Sequence, residues 1–474
     1  MQFGIAAISG YLPLLRLDRK VAAKELAWSG LGMPRLGFRT VADWDEDTLT
    51  MAAEAARGLT ATSPVSLRFA STSAYFTDRS QAGLLVDALA LPPSTRSVDY
   101  ANSRRAGTSA LLDALLGGRA ELVAVAERRD AQVGSAAHFA QGDGGAAVLV
   151  ADNGAARLLG HASLSRDLVD RYTSRDHPTP YAYEERFVRD IAVPELLVPT
   201  IAAACADAGV DPSRIAHAAC AEPVSNCWKG VAKTLKLTAP NHCEALASQA
   251  GDLGAAHPLF GLGLALAAAQ PGDLVLLVGF GSGVDAMVFE VTAPVPGAAA
   301  LAASLVEGEP IRDFTRFLSL TGAINLDWGM RAEFEQKAQA TVLDRLGRDM
   351  IGFIGGRDSM GNVQFPKSAY PVNPALELPE ELADVRLADE EATIVSFTSD
   401  RLNFSPDPPF DFGLVQFNNG ARVLMEMVNR PAGGFKVGDR VRMRLRIKSQ
   451  NPRLGFRTYF WKAAPLLRPQ LGEA

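Results

Sequence analysis

Residues 108–126 read TSALLDALLGGRAELVAVA, and residues 142–151 read GDGGAAVLVA. The same pattern returns as GLGLALAAAQPGDLVLLVG at 261–279 and as GSGVDAMVFE at 281–290. Each copy predicts a helix of small residues, a glycine-containing turn, an apolar strand, and a glycine-rich turn into another strand. Because small residues let a helix pack closely between two sheets, we expect two similar α/β halves with these helices at the centre.

Around this repeat, residues 1–290 alternate short apolar runs with runs rich in Ala and Leu. That alternation is typical of an α/β protein with mostly parallel, buried strands. We predict strands at Gly4–Ile8, Leu122–Ala126, Ala146–Val150, Ala216–Cys220, Leu274–Gly279 and Ala286–Val291. We predict helices at Glu46–Arg57, Ser109–Leu116, Pro199–Gly209, Trp228–Leu235 and Leu259–Ala269.

The pattern changes after residue 290. Residues 291–349 predict a connecting segment with a helical stretch around Met330–Leu346. Residues 350–474 predict a small barrel of the OB type, because five short strands alternate there with turns rich in Pro and Gly. Those strands are expected at Ala392–Thr398, Gly413–Phe417, Arg422–Met427, Arg440–Ile447 and Thr458–Trp461.

The composition excludes several classes of partner. The chain has 474 residues and a formal net charge of −6, with no basic cluster, so neither nucleic acid nor an anionic membrane is an expected partner. The apolar stretch Leu259–Gln270 stops at Pro271, too early to span a bilayer. The N-terminus lacks the features of an export signal. The four cysteines form no CxxC pair, so we expect buried thiols in a reducing cytoplasm.

Several segments resemble HMG-CoA synthase and ketosynthase III of the thiolase superfamily, in order and spacing. They are the opening GIAAISGYLP (4–13), the nucleophile segment DYANSRRAGTSA (99–110), the histidine segment IAHAACAEPVSNCWKGVAKTLKL (215–237) and the closing turn PGDLVLLVGFGSGVDA (271–286). FIGGRDSMGNVQFPKSAYPV (353–372) resembles the zinc-ribbon-plus-OB-fold module that accompanies thiolases. The resemblance implies a five-layered thiolase fold of two stacked halves, then an OB-fold barrel. It also implies a homodimer and a coenzyme A thioester as substrate or ligand.

The resemblance also implies that the catalytic residues are substituted. The family's nucleophilic cysteine falls on Arg104, and its histidine falls on Ala221. Its general acid/base glutamate falls on Thr72, and the asparagine at the oxyanion falls on Gly251 or Asp252. The four zinc-ribbon cysteines fall on Arg357, Met360, Tyr370 and Asn373, so no zinc and no permanently bound cofactor is expected.

Five candidate site residues remain with two interpretations each. Arg104 either anchors a carboxylate in an acyl pocket or pairs with a nearby acid and fills a dead site. Asp252 and His257 share the loop GDLGAAHP and either transfer protons or serve as a helix cap and a packed histidine. Lys229 and Lys233 recur on one predicted helix and either contact CoA phosphates or form a solvated face.

The glycines of GFGSG (279–283) also allow two interpretations. A GxGxG after a strand can mark a dinucleotide site, but this segment runs into another strand rather than a helix, which favours a tight turn near the pocket.

Two functions follow from these observations. One is an enzyme that makes or breaks an acyl or carbon–carbon bond on a CoA thioester without a cysteine acyl-enzyme. The other is a non-catalytic subunit that pairs with an active thiolase or ketosynthase and docks it through the OB-fold.

Overall fold

A computed structural model describes residues 3–32, 34, 36–60, 64–327, 347–376, 381–451 and 455–466. The chain divides into two compact units. The first unit is Met1–Ala42, Asp47–Val86 and Leu91–Ala323, and the second unit is Asp43–Glu46, Asp87–Ala90 and Ile324–Ala474.

The elements up to residue 320 alternate between strands and helices. The strands are β1 (Phe3–Tyr11), β2 (Leu15–Asp18), β3 (Phe38–Val41), β4 (Ser66–Ala70), β5 (Arg96–Tyr100), β6 (Glu121–Glu127), β7 (Gly144–Asp152), β8 (Ala156–Ser165), β9 (Arg171–Tyr172), β10 (Tyr181–Ala182), β11 (Ile215–Cys220), β12 (Leu274–Phe280), β13 (Gly283–Val291) and β14 (Glu309–Ile311). The helices are α1 (Arg19–Glu25), α2 (Thr48–Ala56), α3 (Gln81–Ala88), α4 (Ala106–Leu116), α5 (Ala136–Ala140), α6 (Glu185–Ile191), α7 (Val198–Asp207), α8 (Cys227–Leu235), α9 (His242–Gln249), α10 (His257–Ala268), α11 (Ala298–Ala303) and α12 (Phe314–Leu320).

Nine strands form the main sheet, in the order β11-β12-β13-β8-β1-β7-β6-β4-β5. Its two halves meet between β1 and β8, which pair only at Gly4↔Arg157 and Ile5↔Ala156. Helices α4 and α10 contact each other and also contact strands of both halves, so they form a central helical layer. Helix α2 packs on β6 and β7, and α7 packs on β8 and β13. The result is five layers, as the fold class predicted from the sequence requires.

The repeat in the sequence corresponds to α4–β6–β7 in one half and α10–β12–β13 in the other. Close packing of the central helices depends on their small residues. A Cβ on Gly107 would lie 2.4 Å from the backbone oxygen of Ala255, and one on Gly263 would lie 2.4 Å from Leu301 Cδ1. Ala110, Ala114 and the apolar side chains of α10 are buried in this layer.

The expectation of mostly parallel strands was wrong. Pairings β4–β5, β4–β6 and β11–β12 are parallel, whereas β1–β7, β1–β8, β6–β7, β12–β13 and β8–β13 are antiparallel. Only Gly281 and Ser282 separate β12 from β13. A two-residue connection cannot make the crossover that parallel neighbours need, so the glycine-rich turn forces an antiparallel pair.

The second unit contains a closed five-stranded barrel. A small sheet precedes it and comprises β15 (Ile354–Arg357), β16 (Val363–Gln364) and β17 (Ala383–Arg386), which pair in the order β16-β15-β17. The barrel strands are β18 (Ala392–Asp400), β19 (Phe410–Phe417), β20 (Arg422–Met427), β21 (Arg440–Asn451) and β22 (Phe456–Pro465). They pair in the order β18-β19-β20-β22-β21. All five barrel strands predicted from the sequence are present, so the small-barrel prediction is confirmed.

Charged side chains are buried inside this unit. Lys462 Nζ lies 2.9 Å from Asp45 Oδ2 and 2.8 Å from Glu426 Oε2. Arg446 Nη1 lies 2.8 Å from Glu46 Oε1. Segment 43–46 therefore supplies acids to two basic barrel side chains that are at most 1% exposed.

The helix expected around Met330–Leu346 lies outside the described residues. The boundaries 1–290, 291–349 and 350–474 stay predictions. Within the described part of the chain, no helix is both long and apolar enough to cross a membrane.

Candidate functional site

A cavity of about 420 Å³ opens in the first unit where several strands end. Strands β4, β5 and β6 are parallel, so their carboxyl ends lie at one edge of the sheet. Ligands of open α/β sheets bind at such edges. The cavity, hereafter the pocket, is lined by Thr72, Asn102, Ser103, Arg104, Arg129, Asp170, Arg171, Tyr172, Thr173, Pro180, Gly281 and Ser282.

Arg104 stands between the end of β5 and the start of α4. The hydroxyl of Ser103 holds this turn in place by donating to the backbone oxygen of Gly281 at 2.8 Å. The Arg104 guanidinium forms an ion pair with Asp170 through Nη2. Its carbon Cζ also lies 5.9 Å from the ring centroid of Phe280. Arg104 thus lines the pocket and already has a carboxylate partner.

Burial and like charges act on Arg104 together. Desolvation is the larger cause that lowers its pKa well below the usual arginine value, and the nearby guanidinium groups of Arg171 and Arg129 lower it further. Asp252 acts in the opposite direction. A guanidinium in this position is unfavourable without an anion beside it. The Asp170 carboxylate, whose side chain is 6% exposed, supplies that anion.

Asp252 lies between two further arginines. Its Oδ2 is 3.2 Å from Arg171 Nη2 and 3.4 Å from Arg129 Nη2. Its Oδ1 accepts from the backbone N–H of Gly254 at 2.9 Å. Burial alone would raise the Asp252 pKa, but Arg129, Arg171, His257 and Arg104 together lower it well below its usual value. A carboxylate held this way is a weak base.

His257 is the first residue of α10 and is 6% exposed. Its Nδ1 accepts a hydrogen bond from the backbone N–H of Leu253 at 3.2 Å. In the neutral imidazole this contact assigns the proton to Nε2. Burial lowers the pKa of His257, against the opposing effect of Asp252. His257 is therefore neutral near pH 7, and its basic nitrogen is already in use.

Thr72 is tied to a buried acid that sequence reasoning missed. Both its backbone N–H and its hydroxyl donate to Glu127 Oε1 at 2.9 Å. Glu127 ends β6, is fully buried, and also accepts from Ser71, Ser73 and the backbone N–H of Ala255. One carboxylate thereby joins the Thr72 loop to the loop before α10. The only signal in the sequence is an acid that ends the apolar run LVAVAE.

Asp252 contacts two pocket arginines, but neither it nor His257 lines the pocket itself, and the other predicted residues do not line it either. Ala221 follows β11 and does not line the cavity. Lys229 and Lys233 are exposed on α8, and they do not line it either. Gly251 adopts φ +91°, and a Cβ there would lie 2.7 Å from the backbone oxygen of Gln141. That position needs glycine for its backbone.

Gly281 and Ser282 form the turn between β12 and β13 and line the pocket. The GFGSG segment is therefore a tight turn at the pocket, and no helix follows it.

The partners of Arg104 and Asp252 were also missed. Arg129, Asp170 and Arg171 all lie just beyond strands or in the short hairpin β9–β10. Their sequence contexts, ERRD and VDRY, look like ordinary charged loops. Only the tertiary structure distinguishes them.

All four cysteines are buried, and none lines the pocket. Burial raises the pKa of Cys205 and of Cys227 to about 11. Burial also raises the pKa of Cys220 and Cys243 well above the usual thiol value. These groups are thiols rather than thiolates near neutral pH, so they are poor nucleophiles.

Two of the positions that the resemblance assigns to zinc-ribbon cysteines contact each other. Asn373 Nδ2 lies 3.2 Å from Met360 Sδ, and Tyr370 and Met360 are exposed. Among the described residues, no group of three or more His, Cys, Asp or Glu side chains is arranged to hold a metal ion.

Comparison with known proteins identifies relatives of both parts of the chain. Residues 384–446 match the family model described as the C-terminal OB-fold domain of ChsH2. A hydroxymethylglutaryl-CoA synthase of Pyrococcus furiosus is 25% identical over 303 residues, which is 61% of this chain and 85% of the relative.

Solved structures agree on the fold. An HMG-CoA synthase complexed with CoA has a TM-score of 0.56 and 18% identity, over 71% of this chain and 95% of that one. An HMG synthase of the curacin biosynthetic pathway, in complex with acetyl donor-ACP, has a TM-score of 0.58 and 17% identity, over 73% and 95%. The chain therefore has a thiolase-like α/β fold homologous to HMG-CoA synthases, followed by an OB-fold domain, as the sequence predicted.

Proposed function

We propose that this chain binds acyl-CoA or β-ketoacyl-CoA thioesters non-covalently in the pocket, without forming a cysteine acyl-enzyme. The observation that carries this proposal is the set of guanidinium groups from Arg104, Arg129 and Arg171 around one cavity. Guanidinium groups donate hydrogen bonds to carbonyl oxygens, which acyl and β-ketoacyl thioesters carry, and to the carboxylate that some acyl groups carry in addition. Homology to HMG-CoA synthases, one of which is complexed with CoA, supports the CoA class.

The absence of an acyl-enzyme follows from the site chemistry in this proposal. Arg104 occupies the place that the resemblance assigns to the nucleophile, and a guanidinium does not form a thioester. The four cysteines are buried away from the pocket as thiols. Any acyl group therefore stays on coenzyme A, held by ionic and hydrogen-bond contacts.

Calorimetric titration of the full chain with acetoacetyl-CoA tests the proposal. We expect Arg104→Met to weaken binding roughly tenfold, because the guanidinium N–H groups that Asp170 does not use can donate to an acyl carbonyl, and a charge-assisted hydrogen bond contributes about 1.5–3 kcal/mol. The matched control is Arg166→Met, since Arg166 pairs with Glu195 on the surface, where its side chain is 48% exposed. The control should bind like the wild type. Equal affinities for all three proteins, or an acetyl adduct in the intact mass after incubation with acetyl-CoA, would contradict the proposal.

A catalytic version assigns anion binding to Arg104 and proton transfer to Asp252 and His257. The contacts of these two residues weaken that assignment. Asp252 is held by two arginines and has a lowered pKa. His257 uses Nδ1 to accept from Leu253. General acid/base catalysis works best with a pKa near the working pH, which neither contact pattern provides.

The second candidate is therefore a non-catalytic subunit that binds the thioester beside an active thiolase or ketosynthase and docks it through the OB-fold. Native mass spectrometry of the assembly purified from its own host separates the two versions. A stable mixed complex with an intact thiolase-type subunit supports the second candidate. A self-sufficient homodimer that cleaves β-ketoacyl-CoA, with turnover reduced by Arg104→Ala, supports the catalytic version. In both versions we propose a cytoplasmic dimer built through the thiolase fold.

A further inference from the structure

Asp170 and Arg171 are adjacent in the sequence, carry opposite charges, and each form an ion pair with a residue of another segment. Asp170 forms an ion pair with Arg104, and Arg171 lies 3.2 Å from Asp252. The short segment that contains both residues therefore supplies the acid of one ion pair and the base of the other. Both link that segment to the body of the first unit.

The segment is a small hairpin, defined here as the pocket hairpin, residues 170–183. Its strands β9 and β10 pair at Tyr181↔Tyr172 and Ala182↔Arg171. The backbone N–H of Tyr183 donates to the backbone oxygen of Asp170 at 2.8 Å, which closes the base of the hairpin. Tyr172, Thr173 and Pro180 line the pocket, whereas residues 174–178 are exposed. The hairpin thus forms one wall of the pocket.

The Asp170 carboxylate makes the same ion pair with the Arg104 guanidinium that a carboxylate on a ligand would make. Among the described residues, the hydrogen-bonding partner of the Arg104 guanidinium is that carboxylate alone. Removing the anion from a buried guanidinium is costly, whereas exchanging one carboxylate for another keeps the charge compensated. An uncharged acyl group cannot make this exchange.

We propose that Asp170 occupies the carboxylate site of the pocket in the ligand-free chain. An acyl thioester whose acyl group ends in a carboxylate displaces Asp170 from Arg104 and thereby loosens the pocket hairpin. This inference rests on the proposed function, and it adds the substrate class and the residue that selects it. Acyl groups without a carboxylate leave the ion pair, and the hairpin, in place.

Loosening has a measurable consequence. The hairpin has only two residue pairs between its strands, and isolated two-stranded hairpins are marginally stable in water. After Asp170 is displaced, Arg171–Asp252 is the remaining ion pair described between the hairpin and the body of the unit. We therefore expect the backbone amides of 171–182 to exchange hydrogen faster when Asp170 is free.

Hydrogen exchange with mass spectrometry on the full chain tests the inference, with malonyl-CoA, acetyl-CoA and free malonate as probes. Malonyl-CoA should speed exchange in 171–182, and acetyl-CoA should not. Asp170→Asn should speed exchange without any ligand and should bind malonyl-CoA roughly tenfold more tightly, because the competing carboxylate is gone. Arg104→Met should also speed exchange but lose malonyl-CoA binding. Asp176→Asn, at the exposed tip of the same hairpin, should behave like the wild type.

Two results would overturn the inference: exchange in Asp170→Asn equal to that of the wild type, or weaker binding of malonyl-CoA by that variant. The opposite effects of the two pocket variants on binding exclude general unfolding as the cause. If the proposed function is wrong but Asp170 still occupies a carboxylate site, the same experiments give a different result. In that case neither acetoacetyl-CoA nor malonyl-CoA binds, while free malonate still speeds hairpin exchange in the wild type and binds Asp170→Asn more tightly.

Discussion

Arg171 and Asp252 lie 81 positions apart in the sequence, and their side chains meet at 3.2 Å at the edge of the pocket. Arg129 approaches the same carboxylate oxygen at 3.4 Å from the end of β6. Asp252 thus compensates two guanidinium groups that would otherwise repel each other and Arg104. The loop before α10 therefore holds a carboxylate against two of the arginines that line the pocket.

Removing this carboxylate should destabilise the first unit. We expect Asp252→Asn to lower the free energy of unfolding by about 1–2 kcal/mol, less than for a fully buried pair, because the Asp252 side chain is 29% exposed. Urea unfolding measures the change. The matched control, Asp152→Asn, alters an exposed acid at the end of β7 and should shift the midpoint little. Equal midpoints for both variants would show that the arginine pairs contribute nothing.

The same contact predicts a dependence on pH. The Asp252 pKa is lower in the folded chain than its unfolded value of about 3.9, so the carboxylate stabilises the fold fully above that pH and loses its effect as the pH falls. The difference in unfolding free energy between wild type and Asp252→Asn should therefore be constant from pH 7 to 5 and shrink below about pH 4. A difference that grows on acidification would contradict the lowered pKa.

His138 should add a second pH dependence. It is 2% exposed, packs near Phe139 and Phe317, and has its pKa lowered from 6.5 to about 4 by burial and by Arg39. A base with a lowered folded pKa stabilises the fold above its unfolded pKa and loses that effect as the pH falls from 6.5 towards 4. The loss should reach about 3 kcal/mol. His138→Phe should flatten the profile of unfolding free energy in this range, whereas His161→Gln should leave it unchanged.

The barrel offers a matched pair of lysines. Lys462 is 1% exposed and contacts Asp45 and Glu426, while Lys448 is 47% exposed and, among the described residues, contacts Glu426. Lys462→Met removes the buried cation that Asp45 and Glu426 share, and it should destabilise the second unit by about 3 kcal/mol, even though Arg446 still lies 3.4 Å from Asp45 and Lys448 still contacts Glu426. Lys448→Met should cost less than about 1 kcal/mol. Thermal unfolding of the full chain, followed by tryptophan fluorescence, compares them. A smaller effect for Lys462 would contradict the assigned burial.

The central helical layer predicts a packing effect. A Cβ on Gly107 would meet the Ala255 backbone oxygen at 2.4 Å, so Gly107→Ala should destabilise the fold by about 1–3 kcal/mol through displacement of backbone. Gly58→Ala is the control, because no atom of the residues that the structure describes lies within 4 Å of its added Cβ. It should be neutral or slightly stabilising. Chemical unfolding of both variants measures the difference, and equal stabilities would place α4 farther from the loop before α10.

The sequence alone determined the elements of this fold. Small residues at helical spacing, apolar runs of strand length and glycine-rich turns are local properties, so the repeat predicted α4–β6–β7 and α10–β12–β13 close to their observed bounds. The barrel strands followed for the same reason. Local patterns do not fix the direction of pairing, so the predicted parallel sheet was wrong at five pairings, of which only β12–β13 is joined by a two-residue turn.

The tertiary structure decided the contacts of the site. The sequence placed Arg104 at the start of a central helix, but it could not show that Asp170, 66 positions away, would be its partner. Glu127 and Arg129 looked like ordinary charges at the end of a strand. Which charges meet depends on the order of strands in the sheet, and that order is set by long-range packing of the two halves. Charge pairing in the pocket is thus a property of the topology, not of any local segment.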